Sequence, residues 1–116
     1  MNDEVLDRRT ISMLRSFGEV PGKLLQEMLG DFLAEAPTLM ADIDRSIAAK
    51  SYPAAARAAH QLAGISGCVG ATRLALAANA VEFSSDAPSD QVVAASKTAR
   101  TELELAVAAA AGVQSS

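Results

Sequence analysis

The sequence is short of the residues that build disulfides, imidazole clusters and aromatic cores. Its 116 residues include one cysteine, one histidine and no tryptophan, and aromatic side chains make up 3%. A single cysteine, Cys68, cannot form an internal disulfide, which fits a reducing compartment. The core must therefore be built from leucine, isoleucine, valine, methionine and alanine. This alanine-rich composition favours helices over strands.

Long apolar segments and basic clusters are also missing. The first twenty residues carry acidic and basic side chains throughout and lack the apolar stretch of a signal peptide. No segment approaches the roughly 20 apolar residues that span a bilayer. The net charge is -4, and the ten lysines and arginines form no cluster that could follow a phosphate backbone. We expect a cytoplasmic protein that neither binds nucleic acid nor inserts into membranes.

Apolar residues recur at steps of three or four, the period of one helix face. Five helices are predicted: Leu6 to Phe17 with a stop at Gly18, Pro21 to Lys50 with a kink at Pro37, Tyr52 to Cys68, a fourth after Gly70 ending near Ser84, and a fifth containing Val92 to Val107. The segment Ser84–Asp90 is predicted to be a loop. These elements predict an all-α fold, an antiparallel four-helix bundle with an additional short N-terminal helix. The length suits one domain over residues 1–116, with an ordered core of about 5–111 and a flexible tail from Gly112 to Ser116.

His60, the only histidine, lies in the middle of the predicted third helix. Five small or basic residues share its helix face: Ala56, Arg57, Ala63, Gly64 and Gly67. Leu62 and Val69 lie on another face, which we expect to be buried. The imidazole should therefore project from a strip of helix with almost no side chains.

The two glycines of this strip need an explanation, because glycine inside a helix costs roughly 0.5 to 1 kcal/mol relative to alanine. One explanation is the close approach of another molecule to His60. The other is tight packing between helices, in which case His60 has no special role. Spacing alone leaves both open.

The segment from His60 to Ala71 reads HQLAGISGCVGA. It resembles the signature of histidine-containing phosphotransfer (HPt) domains, in which a His-x-Leu-Lys-Gly run is followed by two small residues and an aliphatic-Gly-Ala turn. The matching residues are His60, Leu62, Gly64, Ser66, Val69, Gly70 and Ala71. Similarity also extends to Phe32 and Leu33 of the second helix and to Glu82.

The resemblance implies a phosphocarrier in a two-component phosphorelay. His60 would accept a phosphoryl group from a receiver-domain aspartate and pass it to another receiver, whether of a response regulator or of a hybrid sensor kinase. No cofactor is expected on this chain, because Mg²⁺ belongs to the receiver in such pairs. Without a nucleotide-binding loop or kinase motif, the domain is not expected to be an enzyme with autokinase activity. We expect a monomer, with Ala63, Gly64 and Gly67 at the docking surface.

Supporting residues are expected on the neighbouring helix. If the third and fourth helices form a hairpin near Gly70, either Asn79 or Glu82 can approach His60 and accept a hydrogen bond from Nδ1, leaving Nε2 free as the nucleophile. The resemblance favours Glu82, although both can be ordinary solvated residues. Gln61 is also placed among the supporting residues.

One position departs from the family pattern. Most members have lysine three residues after the histidine, where this chain has Ala63. That lysine would hold the phosphoryl group electrostatically. Arg57, one turn before His60, is the nearest substitute and Arg73 a more remote one, although Arg57 is equally well explained as a surface charge.

Two other functions compete with this interpretation. A docking module that binds receivers or kinase domains without carrying phosphate is the main alternative, and Ala63 supports it. A thiol enzyme using Cys68 is disfavoured, because no second histidine is available as its base. The sequence leaves open whether the domain is free-standing or a C-terminal module of a hybrid kinase.

Overall fold

A computed structural model describes residues 4–87 and 89–115, which form five α-helices and no strand. The helices are α1 (Arg8–Ser16), α2 (Lys23–Ala48), α3 (Tyr52–Cys68), α4 (Thr72–Ser84) and α5 (Ser89–Gln114). Helix α3 packs against α2 and α4, and α5 packs against the same two helices from the opposite side, while α1 contacts α2. The predicted all-α bundle of four long helices and one short N-terminal helix is confirmed.

The boundaries of α2 and α3 agree well with the sequence pattern. Helix α3 has the predicted bounds, whereas α2 begins two residues after Pro21 because Gly22 takes a left-handed conformation with φ of 83°. Pro37 lies inside a continuous α2, so the segment is one helix and not two. None of the helices within the described ranges is both long and apolar enough to cross a membrane.

Helix α5 is longer at both ends than predicted. Ser89 and Asp90 belong to the helix and not to the preceding loop, and Gly112, Val113 and Gln114 continue it. The tail predicted from Gly112 is wrong for these three residues because they continue α5, and Val113 and Gln114 also make tertiary contacts. Val113 packs against the core, and Gln26 Nε2 donates a hydrogen bond to the carbonyl oxygen of Gln114 at 3.1 Å. Pro88 of the predicted loop and Ser116 of the predicted tail lie outside the described residues.

The core of the bundle is aliphatic around a single aromatic side chain. Its largest fully buried residues are Phe32, Leu25, Leu29, Met40, Ile43, Leu62, Leu74, Val69, Val81 and Val92. Leu62 and Val69 anchor α3 through the face that the sequence predicted to be buried. The remaining face of α3 is consequently turned to solvent.

Helix α1 is fastened to the α3–α4 turn at Gly70. Asp7 caps α1 by accepting hydrogen bonds from the hydroxyl and backbone N–H of Thr10, which lower the pKa of the Asp7 carboxyl. The backbone N–H of Asp7 donates to the carbonyl oxygen of Gly70 at 2.8 Å. Gly70 has φ of 76°, and a Cβ there would lie 2.9 Å from the Cβ of Thr10. Glycine is therefore required at this turn both for its conformation and for the approach of α1.

Candidate functional site

His60 projects from the outward face of α3, and its side chain is 74% exposed. On the opposite side, Leu62 of the same helix and Val69, which directly follows the helix, are buried in the core. The ring is therefore exposed to solvent on a helix whose opposite side is packed into the core.

The surface beside His60 is bare, as the spacing predicted. Gly64 and Gly67 are exposed, and a Cβ built on either would meet nothing within 4 Å. Tight packing between helices therefore does not explain these two glycines. The remaining explanation is an open surface that another molecule can approach closely.

Glu82 of α4 holds the ring from the side. The α3–α4 hairpin brings Glu82 Oε1 to 3.2 Å from His60 Nδ1. In the tautomer with the proton on Nδ1, this nitrogen donates to the carboxylate and Nε2 keeps its lone pair. Of the two residues expected to approach His60, Glu82 forms the hydrogen bond, and Asn79 lies one turn earlier on α4.

Two polar side chains share a shallow, open depression with His60 and Glu82. Arg57 and Gln61 line it together with Ala56. Arg57 is exposed, and its guanidinium forms no ion pair within the described part of the chain. Its positive charge therefore stands beside the imidazole without a carboxylate partner.

Ala63, which stands where most family members have lysine, and Arg73, the more remote substitute, bring no charge to the depression around His60. Ala63 is half-buried and packs against the core. The guanidinium of Arg73 lies 3.0 Å from Glu102 Oε1 and links α4 to α5. Arg73 is thus engaged on the flank of α4 that faces α5, and Arg57 is the cation that lines the depression around His60.

Cys68 is exposed near the end of α3, eight residues beyond His60. It lines a depression between α2 and α3 with Asp31, Glu35 and Ile65. At 1.5 Å of rise per residue, about 12 Å of helix separates it from the only imidazole in the sequence. The structure therefore supplies no histidine base for a thiol mechanism.

The outer face of α4 is a feature that the sequence analysis missed. Leu76 and Phe83 are 64% and 80% exposed. They are seven residues apart, so they lie on one helix face, opposite the buried residues Leu74, Ala78 and Val81. That spacing was a signal in the sequence, but it did not show which of the two apolar faces of α4 points outward.

Comparison with known families agrees with this fold. The sequence model of the Hpt domain family matches residues 27–112, most of the chain, from α2 through α5. No curated protein and no solved structure matches the chain. The chain belongs to the Hpt domain family. Hpt domains are phosphocarriers that interact with receiver domains, so its role is histidine phosphotransfer in a phosphorelay.

Proposed function

We propose that His60 is the phosphoacceptor of this Hpt domain, and that it relays a phosphoryl group between the aspartates of two receiver domains in the cytoplasm. The observation that carries the proposal is an exposed imidazole whose Nδ1 is held by Glu82 and whose helix surface is bare at Gly64 and Gly67. An accessible ring with a fixed tautomer is what in-line transfer between two proteins requires.

In the transfer step the lone pair of His60 Nε2 attacks the phosphorus of the receiver's aspartyl phosphate. The new N–P bond forms as the P–O bond to the aspartate breaks, and the aspartate leaves as a carboxylate. Nδ1 keeps its proton, so the phosphorylated ring carries a positive charge. The reverse sequence loads a second receiver. The Mg²⁺ that neutralises charge on the phosphoryl group is assigned to the receiver and not to this chain.

Glu82 is proposed to act through the ring as a positioning residue. Before transfer its carboxylate accepts a hydrogen bond from Nδ1–H of His60, and after transfer it faces the positively charged phosphorylated ring. Both effects favour formation of phosphohistidine. Gln61, beside His60 in the depression, is available to donate a hydrogen bond to the phosphoryl oxygens.

Arg57 is proposed to supply the positive charge that lysine supplies in most relatives. It lines the depression around His60 without an acidic partner among the described residues, whereas Ala63 has no charge and Arg73 is paired with Glu102. The interaction is exposed to solvent, so its contribution should be modest.

Transfer of radiolabelled phosphate from a receiver charged with acetyl phosphate tests the proposal. The wild-type chain should gain acid-labile label, and His60→Gln should gain none while keeping its helical circular dichroism. Label on His60→Gln would contradict the assignment of the phosphoacceptor. A wild-type chain that binds the charged receiver without gaining label would instead support the non-phosphorylated docking module that Ala63 keeps open.

A further inference from the structure

The two most exposed large apolar side chains in the described part of the chain lie together on α4. Leu76 and Phe83 are separated by about 10 Å along one face of the helix, with Thr72, Asn79 and Ala80 between or beside them. This outer face of α4 carries no charged group, because the guanidinium of Arg73 turns to Glu102 and the carboxylate of Glu82 turns to His60. Exposed apolar residues that share one surface mark protein-binding sites, whereas scattered single ones are ordinary, and Leu76 and Phe83 share one helix face.

The register of the α3–α4 hairpin places this face level with the bare strip, on the helix whose Glu82 reaches His60. His60 is level with Glu82, and α3 and α4 run in opposite directions. Phe83 is therefore nearly level with His60, and Leu76 with Gly67. The outer face of α4 forms a raised apolar edge along a strip where α3 has almost no side chains.

The other flank of α3, towards α2, has the opposite character. Asp31 and Glu35 line the depression that contains Ile65 and Cys68. This flank therefore offers a partner a surface with two carboxylates, whereas the outer face of α4 offers an apolar one.

The bare strip alone offers little to hold a partner. A protein interface usually buries several hundred Å² on each side, and most of its binding energy comes from a few large side chains. Glycine and alanine allow close approach but provide no such anchors. On α4, whose Glu82 contacts His60, the exposed large apolar side chains are Leu76 and Phe83.

We propose that the receiver domain docks over His60 with its contact displaced towards α4, and that Phe83 and Leu76 are the anchoring residues of the interface. The inference rests on the proposed function, since it assumes a receiver that reaches His60. It assigns recognition of the partner to residues that take no part in the chemistry. The receiver is expected to present an apolar patch beside its phosphorylated aspartate.

The experiment compares two phosphoryl donors on the full chain. Phosphoramidate, a small donor, reports the reactivity of His60 without any docking surface, and a receiver charged with acetyl phosphate reports docking and transfer together. The variants are Phe83→Ser, Leu76→Ser and their combination. Leu105→Ser is the matched control, because Leu105 is an exposed leucine (42%) on α5, which packs on α2 and α4 on the side away from α3.

For each variant, the receiver-dependent rate is measured over a range of receiver concentrations and divided by the phosphoramidate rate. Phe83→Ser and Leu76→Ser should each lower this ratio at low receiver concentration by raising the half-saturating receiver concentration. The double variant should raise that concentration about tenfold or more, while Leu105→Ser should keep the wild-type ratio. A double variant with the wild-type ratio would overturn the inference. So would a double variant that changes only the oligomeric state in size-exclusion chromatography, because the α4 face would then bind a second copy of this chain.

Failure of the proposed function would look different. Phosphoramidate would then label His60→Gln as well as the wild type, or would label neither, before any α4 variant is compared. That result would remove the inference together with its basis, whereas normal labelling of His60 with an unchanged ratio in the double variant would refute the docking surface alone.

Discussion

Gly64 is the position at which stability and function should change in opposite directions. It lies inside α3, one turn after His60, and a Cβ built there meets nothing within 4 Å. Replacing it with alanine therefore adds no steric clash and removes backbone freedom from the unfolded chain. The expected gain in the free energy of unfolding is about 0.5 to 1 kcal/mol. With an unfolding entropy of about 2 cal/mol/K per residue, the melting temperature should rise by about 2 to 4 °C.

The same substitution should impair transfer. The added methyl group stands on the face that carries His60, where the partner must come close. We expect Gly64→Ala to slow receiver-dependent labelling and Gly64→Gln, which projects further, to slow it by at least about tenfold. Gly64→Gln should still fold, because its side chain extends into open space.

The assay pairs thermal unfolding by circular dichroism with receiver-to-His60 transfer for both Gly64 variants. Gly112→Ala is the matched control, because Gly112 is also helical and exposed and a Cβ added to it would meet nothing within 4 Å, but it lies near the end of α5. It should leave transfer unchanged and raise the melting temperature by a smaller amount. A marked fall in melting temperature for both Gly64 variants, or wild-type transfer by both, would refute the reasoning.

Three further predictions concern charges and hydrogen bonds. Arg57→Ala should slow transfer or shorten the phosphohistidine lifetime by up to about fivefold, because exposed charge interactions are worth about 0.2 to 1 kcal/mol. Ala63→Lys should have the opposite effect, and wild-type kinetics in both variants at low salt would contradict this prediction. Glu82→Gln, which keeps a hydrogen-bond acceptor, should retain more phosphoramidate labelling of His60 than Glu82→Ala, and equal rates in the two variants would argue against positioning. The pKa of Asp7 is lowered in the fold by Thr10, so its contribution to stability is complete above the unfolded value near 3.8 and is lost as the pH falls through the lower folded value. The difference in melting temperature between wild type and Asp7→Asn should therefore shrink in acid. A constant difference down to about pH 2 would count against a stabilising role of the Asp7 carboxylate.

The sequence predicted the helices best where local signals mark both the start and the end of a helix. In α3, Pro53 marks the start because it lies in the first turn, and Gly70, which has a positive φ, marks the end. The prediction for the end of α5 is wrong because Gly112 and the mostly polar residues after it look like a tail. What holds them is the packing of Val113 and the hydrogen bond from Gln26, a residue 88 positions earlier in the chain. Contacts between residues so far apart leave no local pattern in a single sequence.

The candidate site was predictable only in the part that depends on spacing within one helix. The bare strip around His60 follows from helical spacing alone, because Gly64 and Gly67 lie four and seven residues after the histidine. The choice between Asn79 and Glu82 depends on the rotation of α4 about its axis, which spacing on α3 does not determine. Arg73 could be separated from Arg57 only by its pairing with Glu102, a contact between two helices.

The departure at Ala63 affects both the charge and the shape of the proposed site. A lysine side chain on the docking face brings charge to the phosphoryl group, but it also occupies part of the surface that a partner must approach. Ala63 leaves that surface low, and Arg57 keeps a positive charge one turn away on the other side of His60. In the proposed mechanism the charge of Arg57 acts on the phosphoryl group less directly than a lysine at position 63 would, while the apolar face of α4 remains open. Under the proposed docking, the domain depends more on shape and apolar contact for its partner, and less on a local cation, than a variant with lysine at position 63 would.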